Sequence, residues 1–273
     1  MLKQRTLVTF AALPVAVYAT FSHPAVIGLI LLAVFAIAAW EYAGVLRAGD
    51  VLASRFMVVG GVIALFLARY FTGFTADAWL LPLLTMLAIT YHLWRYEHDR
   101  TTAATDFLAT LGGIFYIGLL GSFFVLIRAL PDGAWWLLTT LFGIWLADSG
   151  AYLIGIRWGR RKLAPRLSPK KTWEGYIGGI LSALVFLPLF VLLFYQFGLT
   201  PDSGLTIANT LWLALVLSIF PTLGDLGESM FKRQVGVKDS GHLLPGHGGM
   251  FDRVDSWLWG AVLGYFTILW FFL

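Results

Sequence analysis

Residues 238–273 read KDSGHLLPGHGGMFDRVDSWLWGAVLGYFTILWFFL. The first half, Lys238 to Asp255, holds five charges, two histidines and four glycines, and the second half, Ser256 to Leu273, holds no charge. An uncharged apolar run of that length is a transmembrane candidate, because about 20 apolar residues cross ~30 Å of hydrocarbon. The polar segment ahead of it then lies at a membrane boundary. The fold follows from how many other stretches resemble the second half.

Many do. Apolar residues make up 59% of the 273 residues and charged residues 12%, with 22 Phe and 12 Trp, and the mean hydropathy is +0.80. Soluble domains run nearer ~45–50% apolar, so the excess must face lipid. The expected fold is an all-α polytopic membrane protein with about nine transmembrane helices, each some 20 residues long, over 6–22, 24–46, 56–74, 78–95, 106–128, 133–156, 174–198, 206–227 and 254–273. The first run is short, carries Pro14 and follows Lys3 and Arg5. It could pass for a signal peptide, but no small-x-small site leads into a soluble domain, so a retained helix is expected. With the second run it could form a shallow hairpin around Ser22-His23-Pro24. No polar stretch is long enough to fold alone. The chain is expected to divide into N-terminal transmembrane helices, 1–130, and a C-terminal transmembrane region, 131–273.

Placing the N-terminus in the cytoplasm puts 17 of the 19 Lys and Arg on the inner side, leaving only Arg69 and Arg128 outside. That asymmetry is what the positive-inside rule requires and puts the C-terminus on the periplasmic side. The formal net charge of +4 then describes a basic cytoplasmic face, and no nucleic-acid partner is expected. Cysteine is absent, which excludes disulfide frameworks, thiolate catalysis and Cys-ligated zinc. No tandem repeat or inverted two-halves pattern of the transporter kind is visible.

Polar groups collect at the cytoplasmic ends of the later spans. Asp148 lies inside the sixth span, where an acid is costly and marks a site or a buried pair, for instance with Arg157. Asp225, Glu228, Ser229 and Lys232 are spaced i, i+3, i+4, i+7, which aligns them on one face of a continuing helix. Asp252, Arg253 and Asp255 open the ninth span; acids there also suit the helix dipole. Sequential antiparallel spans bring Asp225 and Asp252 to similar depth. Two converging carboxylates repel unless a cation lies between them, and hard oxygen ligands favour Mg²⁺, Mn²⁺ or Ca²⁺.

Ser168-Pro169 reads as a helix cap with proline at the first position, and Lys170 and Lys171 beside it would make an anion site. His242 and His247 are too irregularly spaced for a zinc pair, and contacts to phosphate or within the loop suit them better. Gly246, Gly248 and Gly249 let backbone N–H groups approach an anion. Gly60-Gly61, Gly112-Gly113, Gly175 and Gly179 read as helix-packing positions. Acid pair, basic cluster and glycine loop on one side of a membrane specify phosphate, a divalent metal and a lipid substrate.

Ser229-Met230-Phe231-Lys232-Arg233, Lys238-Asp239-Ser240-Gly241, Pro245-Gly246-His247-Gly248-Gly249 and Asp252-Arg253-Val254-Asp255 closely resemble the signature of the phosphatidate cytidylyltransferases, or CDP-diacylglycerol synthases. Ala147 to Tyr152 and Ser168 to Gly175 also match. The detailed resemblance covers roughly 143–256, with Ala39-Trp40-Glu41-Tyr42 as a weak echo in the N-terminal half. It implies that CTP and phosphatidic acid give CDP-diacylglycerol and pyrophosphate in phospholipid biosynthesis, with Mg²⁺, in the bacterial inner membrane, by a multi-pass homodimer whose site faces the cytoplasm. It also implies a paired Mg²⁺ and K⁺ centre on Asp225 and Asp252.

On that basis Asp225, Asp252, Lys171 and Asp148 are the expected catalytic residues. Ser168, Lys170, Ser229, Lys232, Arg233, Lys238, Asp239, His247, Gly248, Gly249 and Arg253 are the expected substrate contacts. Asp148 would either bind metal or orient a neighbour. Two rival readings are a transporter and another lipid-phosphate enzyme, such as one consuming CDP-diacylglycerol. A transporter would place its polar groups near mid-membrane in symmetric halves, whereas these cluster at one boundary.

Overall fold

The computed structural model describes residue 14 and residues 16–198, 205–241 and 248–273. After a helical stretch at 16–21, the chain forms α1 (Pro24–Arg47), α2 (Arg55–Thr72), α3 (Asp77–Glu97), α4 (Ala103–Gly113), a π-helical segment (Ile114–Leu119) and α5 (Phe123–Ala129). There follow α6 (Gly133–Trp158), the strands β1 (Lys162–Ala164) and β2 (Ser168–Thr172), α7 (Trp173–Gln196), α8 (Ile207–Ile219), α9 (Thr222–Gln234) and α10 (Phe251–Phe271).

The fold is all-α and polytopic. Among the described residues, seven stretches are long and apolar enough to cross a membrane: Pro24–Arg47, Arg55–Thr72, Ala103–Ala129, Gly133–Trp158, Trp173–Gln196, Ile207–Gln234 and Phe251–Phe271. Eight of the nine expected spans lie within the described residues, and seven of the eight coincide with those stretches. The expected run at 6–22 falls mostly outside the described residues. The expected run at 78–95 is α3, a 21-residue helix that is not among the seven. Pro82, Thr85, Thr90, Tyr91 and His92 dilute its hydropathy, although Leu83, Met86, Leu87 and Leu93 remain exposed.

Two of the seven are interrupted. Ala103–Ala129 passes through the π-helical segment before α5 resumes at Phe123. Ile207–Gln234 breaks at Phe220-Pro221, because proline lacks an N–H and crowds the preceding turn. The chain restarts with Leu223 N donating to Phe220 O at 2.9 Å and Gly224 N donating to Pro221 O at 2.9 Å. Asp225 consequently lies in the first turn of α9, a helix of its own.

The chain clusters into two compact units, Met1–Leu126 with Met230–Val254, and Ile127–Ser229 with Asp255–Leu273. In the first unit, Phe35 packs at 5.5 Å from Phe66 and 6.1 Å from Phe124. Small residues allow that closeness: Gly61 leaves no room for a side chain beside Ile114, nor Gly113 beside Tyr42 and Val58. Gly60, by contrast, faces open space.

Two polar clusters tie the helices of this unit together. Arg69, buried on α2, donates to Leu119 O at 2.8 Å and Ser122 Oγ at 3.0 Å. It also pairs with Asp77 at 2.9 Å and stacks over Phe123 at 4.3 Å. Asp106, buried on α4, accepts from Leu52 N and Arg100 Nε, both at 2.7 Å. Arg100 extends to Asp50 at 3.2 Å.

In the second unit α6 and α7 pack along a glycine face. A Cβ on Gly179 would come within 2.5 Å of Ala147 O, and one on Gly178 within 2.5 Å of Ile154. Helix backbones approach closely only where side chains are this small. Ala147, Ala183, Leu187 and Ala214 form the core beside them.

Asp106→Ala strands the Arg100 guanidinium and the Leu52 amide, and its expected cost is about 3 kcal/mol or more. Asp50→Ala removes the exposed partner, 79% accessible, and its expected cost is below about 1 kcal/mol. Unfolding free energies of the two variants in detergent micelles check the contrast.

Candidate active site

In the first unit, chemistry gathers on the start of α10. Asp252 is the second residue of that helix. Its Oδ2 accepts from the backbone amides of Ser240 at 2.9 Å and Gly249 at 2.8 Å, and its Oδ1 meets Lys232 Nζ at 2.5 Å. Gly248 stands in the left-handed region at φ 78°, where a Cβ would also lie 2.7 Å from Asp252 Oδ2. Only glycine satisfies both conditions.

Glu41 reaches the same loop from α1. Its Oε2 accepts from Phe251 N at 2.9 Å and from Ser240 Oγ at 3.0 Å. The Ser240 hydroxyl is also 3.0 Å from Asp252 Oδ2, so one hydroxyl stands between two carboxylates. Cβ atoms on Gly241 and Gly249 would fall 2.5 Å from Glu41 Oε1 and 2.3 Å from Glu41 Oε2. The carboxylate fills the space those glycines leave. Tyr42 sets its ring edge-on to Phe231 at 5.5 Å and Phe251 at 5.7 Å.

In the second unit, Lys171 Nζ lies 2.7 Å from Asp225 Oδ2. Ser256 Oγ donates to Asp148 Oδ2 at 3.0 Å, and Ser256 N donates to Asp255 Oδ1 at 2.6 Å. Gly224 lies against the Asp255 carbonyl and Trp259. Asp255 is buried, and the charges acting on it are Asp225, Asp148 and Lys171. Asp225 and its neighbours Asp148 and Asp255 thus bring carboxyl oxygens, which are hard donors, to the vicinity of the Lys171 ammonium.

The entry to α7 departs from the expected helix cap at Ser168. Residues Ser168–Thr172 form β2, paired antiparallel with β1 through Ala164 and Ser168 and through Lys162 and Thr172. Pro169 keeps the residue before it extended. Thr172 caps the helix instead, its side chain accepting from Gly175 N at 3.2 Å.

The profile of the cytidylyltransferase family matches residues 3–271. The chain belongs to that family. It is 36% identical over 213 residues to the phosphatidate cytidylyltransferase of Staphylococcus saprophyticus, covering 75% of this chain and 77% of that one. It is 46% identical over 140 residues to the phosphatidate cytidylyltransferase of Haemophilus influenzae, covering 51% and 47%. The Staphylococcus aureus protein of the same name is 44% identical over 148 residues, 54% of each chain. The chain is thus a nucleotidyltransferase with bacterial relatives.

The remaining expected site residues fall as follows. Ser229 is buried on α9. Arg233 donates to Val237 O at 3.2 Å, steadying the turn after α9. Lys170, Lys238, Asp239 and Arg253 are exposed. His247 lies outside the described residues, as do His242 and Gly246. Gly249 N–H, read from sequence as free to meet an anion, is donated to Asp252.

Sequence reasoning passed over Glu41, Ser240 and Ser256 as site residues. A lone acid within the apolar run 24–46 was the available signal for Glu41, because acids in such runs mark sites or buried pairs. Ser240 lay within the signature stretch Lys238–Gly241 without being singled out, and Ser256 offered no signal, since serine is common at helix starts.

The donor set suits Mg²⁺. Carboxylate oxygens are hard ligands, and Mg²⁺ commonly takes one or two of them and completes its shell with water and phosphate. Among the described residues no three His, Asp or Glu side chains assemble into a ready-made cage, and such a shell requires none.

Thr172→Ala is expected to cost about 1 kcal/mol through loss of the α7 cap, while Ser168→Ala should stay within about 0.5 kcal/mol. Thermal unfolding of both variants distinguishes a helix starting at Trp173 from one starting at Pro169.

Proposed function

We propose that this chain transfers CMP from CTP to phosphatidate, forming CDP-diacylglycerol and pyrophosphate for phospholipid synthesis at the cytoplasmic face of a bacterial inner membrane. The observation that carries the reading is the likeness, over three quarters of the chain, to proteins named phosphatidate cytidylyltransferase. The family resemblance further supports a homodimer.

A phosphatidate oxygen forms a bond to the α-phosphorus of CTP as the bond from that phosphorus to the bridging oxygen breaks in line. Pyrophosphate leaves with the electron pair. The phosphatidate phosphate carries its own negative charge, so no protein base is required to activate it. Asp225 and Asp252 would hold Mg²⁺, with K⁺ as a second ion of the same centre. When bound, Mg²⁺ neutralises the triphosphate and the charge that develops on the leaving group.

Lys171 and Lys232 bind the substrate phosphates. Each already rests on one of the two acids, at 2.7 and 2.5 Å, so a phosphate arriving at either carboxylate meets an ammonium within one ion-pair length. Asp148 orients Ser256, which in turn donates its amide to Asp255. Lys170, Lys238, Arg233 and Arg253 supply further positive charge to the same anions, and Ser168, Ser229, Asp239, His247, Gly248 and Gly249 complete the substrate contacts.

Purified protein given radiolabelled CTP, phosphatidate and Mg²⁺ is expected to move label into the chloroform phase with equimolar pyrophosphate. Failure with phosphatidates of every chain length overturns the reading. Asp225→Asn should lower the rate by about 100-fold or more, and chelation should stop the reaction until Mg²⁺ is restored.

A further inference from the structure

Glu41 is remote in sequence from the acids and lysines assigned above, yet it reaches the loop that carries Asp252. A carboxylate inside a span is costly and persists where something answers it. Here its Oε2 accepts the Phe251 amide at 2.9 Å and the Ser240 hydroxyl at 3.0 Å. Those two residues are the immediate scaffold of Asp252: Phe251 precedes it, and Ser240 gives its amide to the Asp252 carboxylate at 2.9 Å. The glycines record the same contact from the other side. Gly241 and Gly249 stand so close to Oε1 and Oε2 that a Cβ on either would come within 2.5 Å of the carboxylate. Loop residues on both sides of the undescribed segment 242–247 therefore close around one acid from α1.

We propose that Glu41 is a positioning residue for the transfer reaction. Through Ser240 and the Phe251 amide it ties residues 238–241 and 248–250 to the start of α10 and fixes the direction in which Asp252 presents its carboxylate. Glu41 does not touch substrate. Its hydrogen bonds are charge-assisted, the stronger class, and removing such outer partners of a functional carboxylate typically costs about 10- to 100-fold in activity or metal affinity. The inference rests on the proposed transfer reaction for its kinetic part alone.

Two readouts test it in the intact detergent-solubilised protein. The first is hydrogen–deuterium exchange. In Glu41→Gln, peptides spanning 238–241 and 248–254 are expected to exchange about tenfold faster or more, while peptides from α6 and α7 keep wild-type exchange and report an intact fold. The second is CMP transfer, where kcat should fall about 10- to 100-fold with the KM for CTP changed by less than about threefold. Ser240→Ala should lower kcat also, and the double variant should lose less than the product of the two single losses, because both act on one carboxylate.

Gly241→Ala provides a second route, since it displaces the Glu41 carboxylate without altering its charge. Its exchange and kinetics should match those of Glu41→Gln. Wild-type exchange at 238–241 and 248–254 in both variants overturns the inference, as does an unchanged kcat in a protein shown to transfer CMP. If the wild-type protein transfers no CMP, the proposed function fails, and the exchange result still decides whether Glu41 holds the loop.

Discussion

An ion taken out of water costs several kcal/mol unless an opposite charge or hydrogen-bond donors replace its hydration. This chain is only 12% charged, and the architecture around its buried acids follows from that cost. Asp106 draws in Arg100 and the Leu52 amide. Arg69 draws in Asp77, Ser122 and the Leu119 carbonyl of the π-helical segment. Asp252 draws in Lys232 and two loop amides. In each case the charge is answered from a different element, so the same contact that stabilises the ion also fixes a helix end or a connection.

Those contacts are also what a nucleotidyltransferase needs. Carboxylates must be held still to bind a hard cation, and lysines must lie close by to receive phosphate. On the proposed reading, the Lys171–Asp225 and Lys232–Asp252 pairs supply both parts of that arrangement. The second unit gathers Asp148, Asp225 and Asp255 near Lys171, and in the first the Ser240 and Gly249 amides are committed to Asp252. The glycines at 241, 248 and 249 therefore serve the protein's own carboxylates as neighbours, and their small size is explained without reference to a ligand.

Much of this was legible beforehand. Long apolar runs marked six of the seven spans to within three residues at each end, because hydrocarbon thickness dictates their length. Pro221 did not announce a break, since a proline within an apolar run is equally compatible with a kinked continuous helix. Ser168-Pro169 matched a helix start by residue type, and only the pairing with Lys162–Ala164 turned the segment into a strand. Polar and aromatic residues on α3 had been counted as part of an ordinary span. The dense signature at 229–255 pointed to the cytidylyltransferase family from residue types alone, as the match over residues 3–271 agrees.

Hydropathy and motif spacing thus carried the fold class, most helix positions and the family, all of which depend on patterns local to a segment. The partner of each acid was decided by folding. Glu41 and Ser240 are 199 positions apart, and Asp148 and Ser256 are 108 apart. No periodicity links residues at such separations. Which donor answers which carboxylate depends on where two distant segments come within 3 Å, and that distance is a property of packed helices.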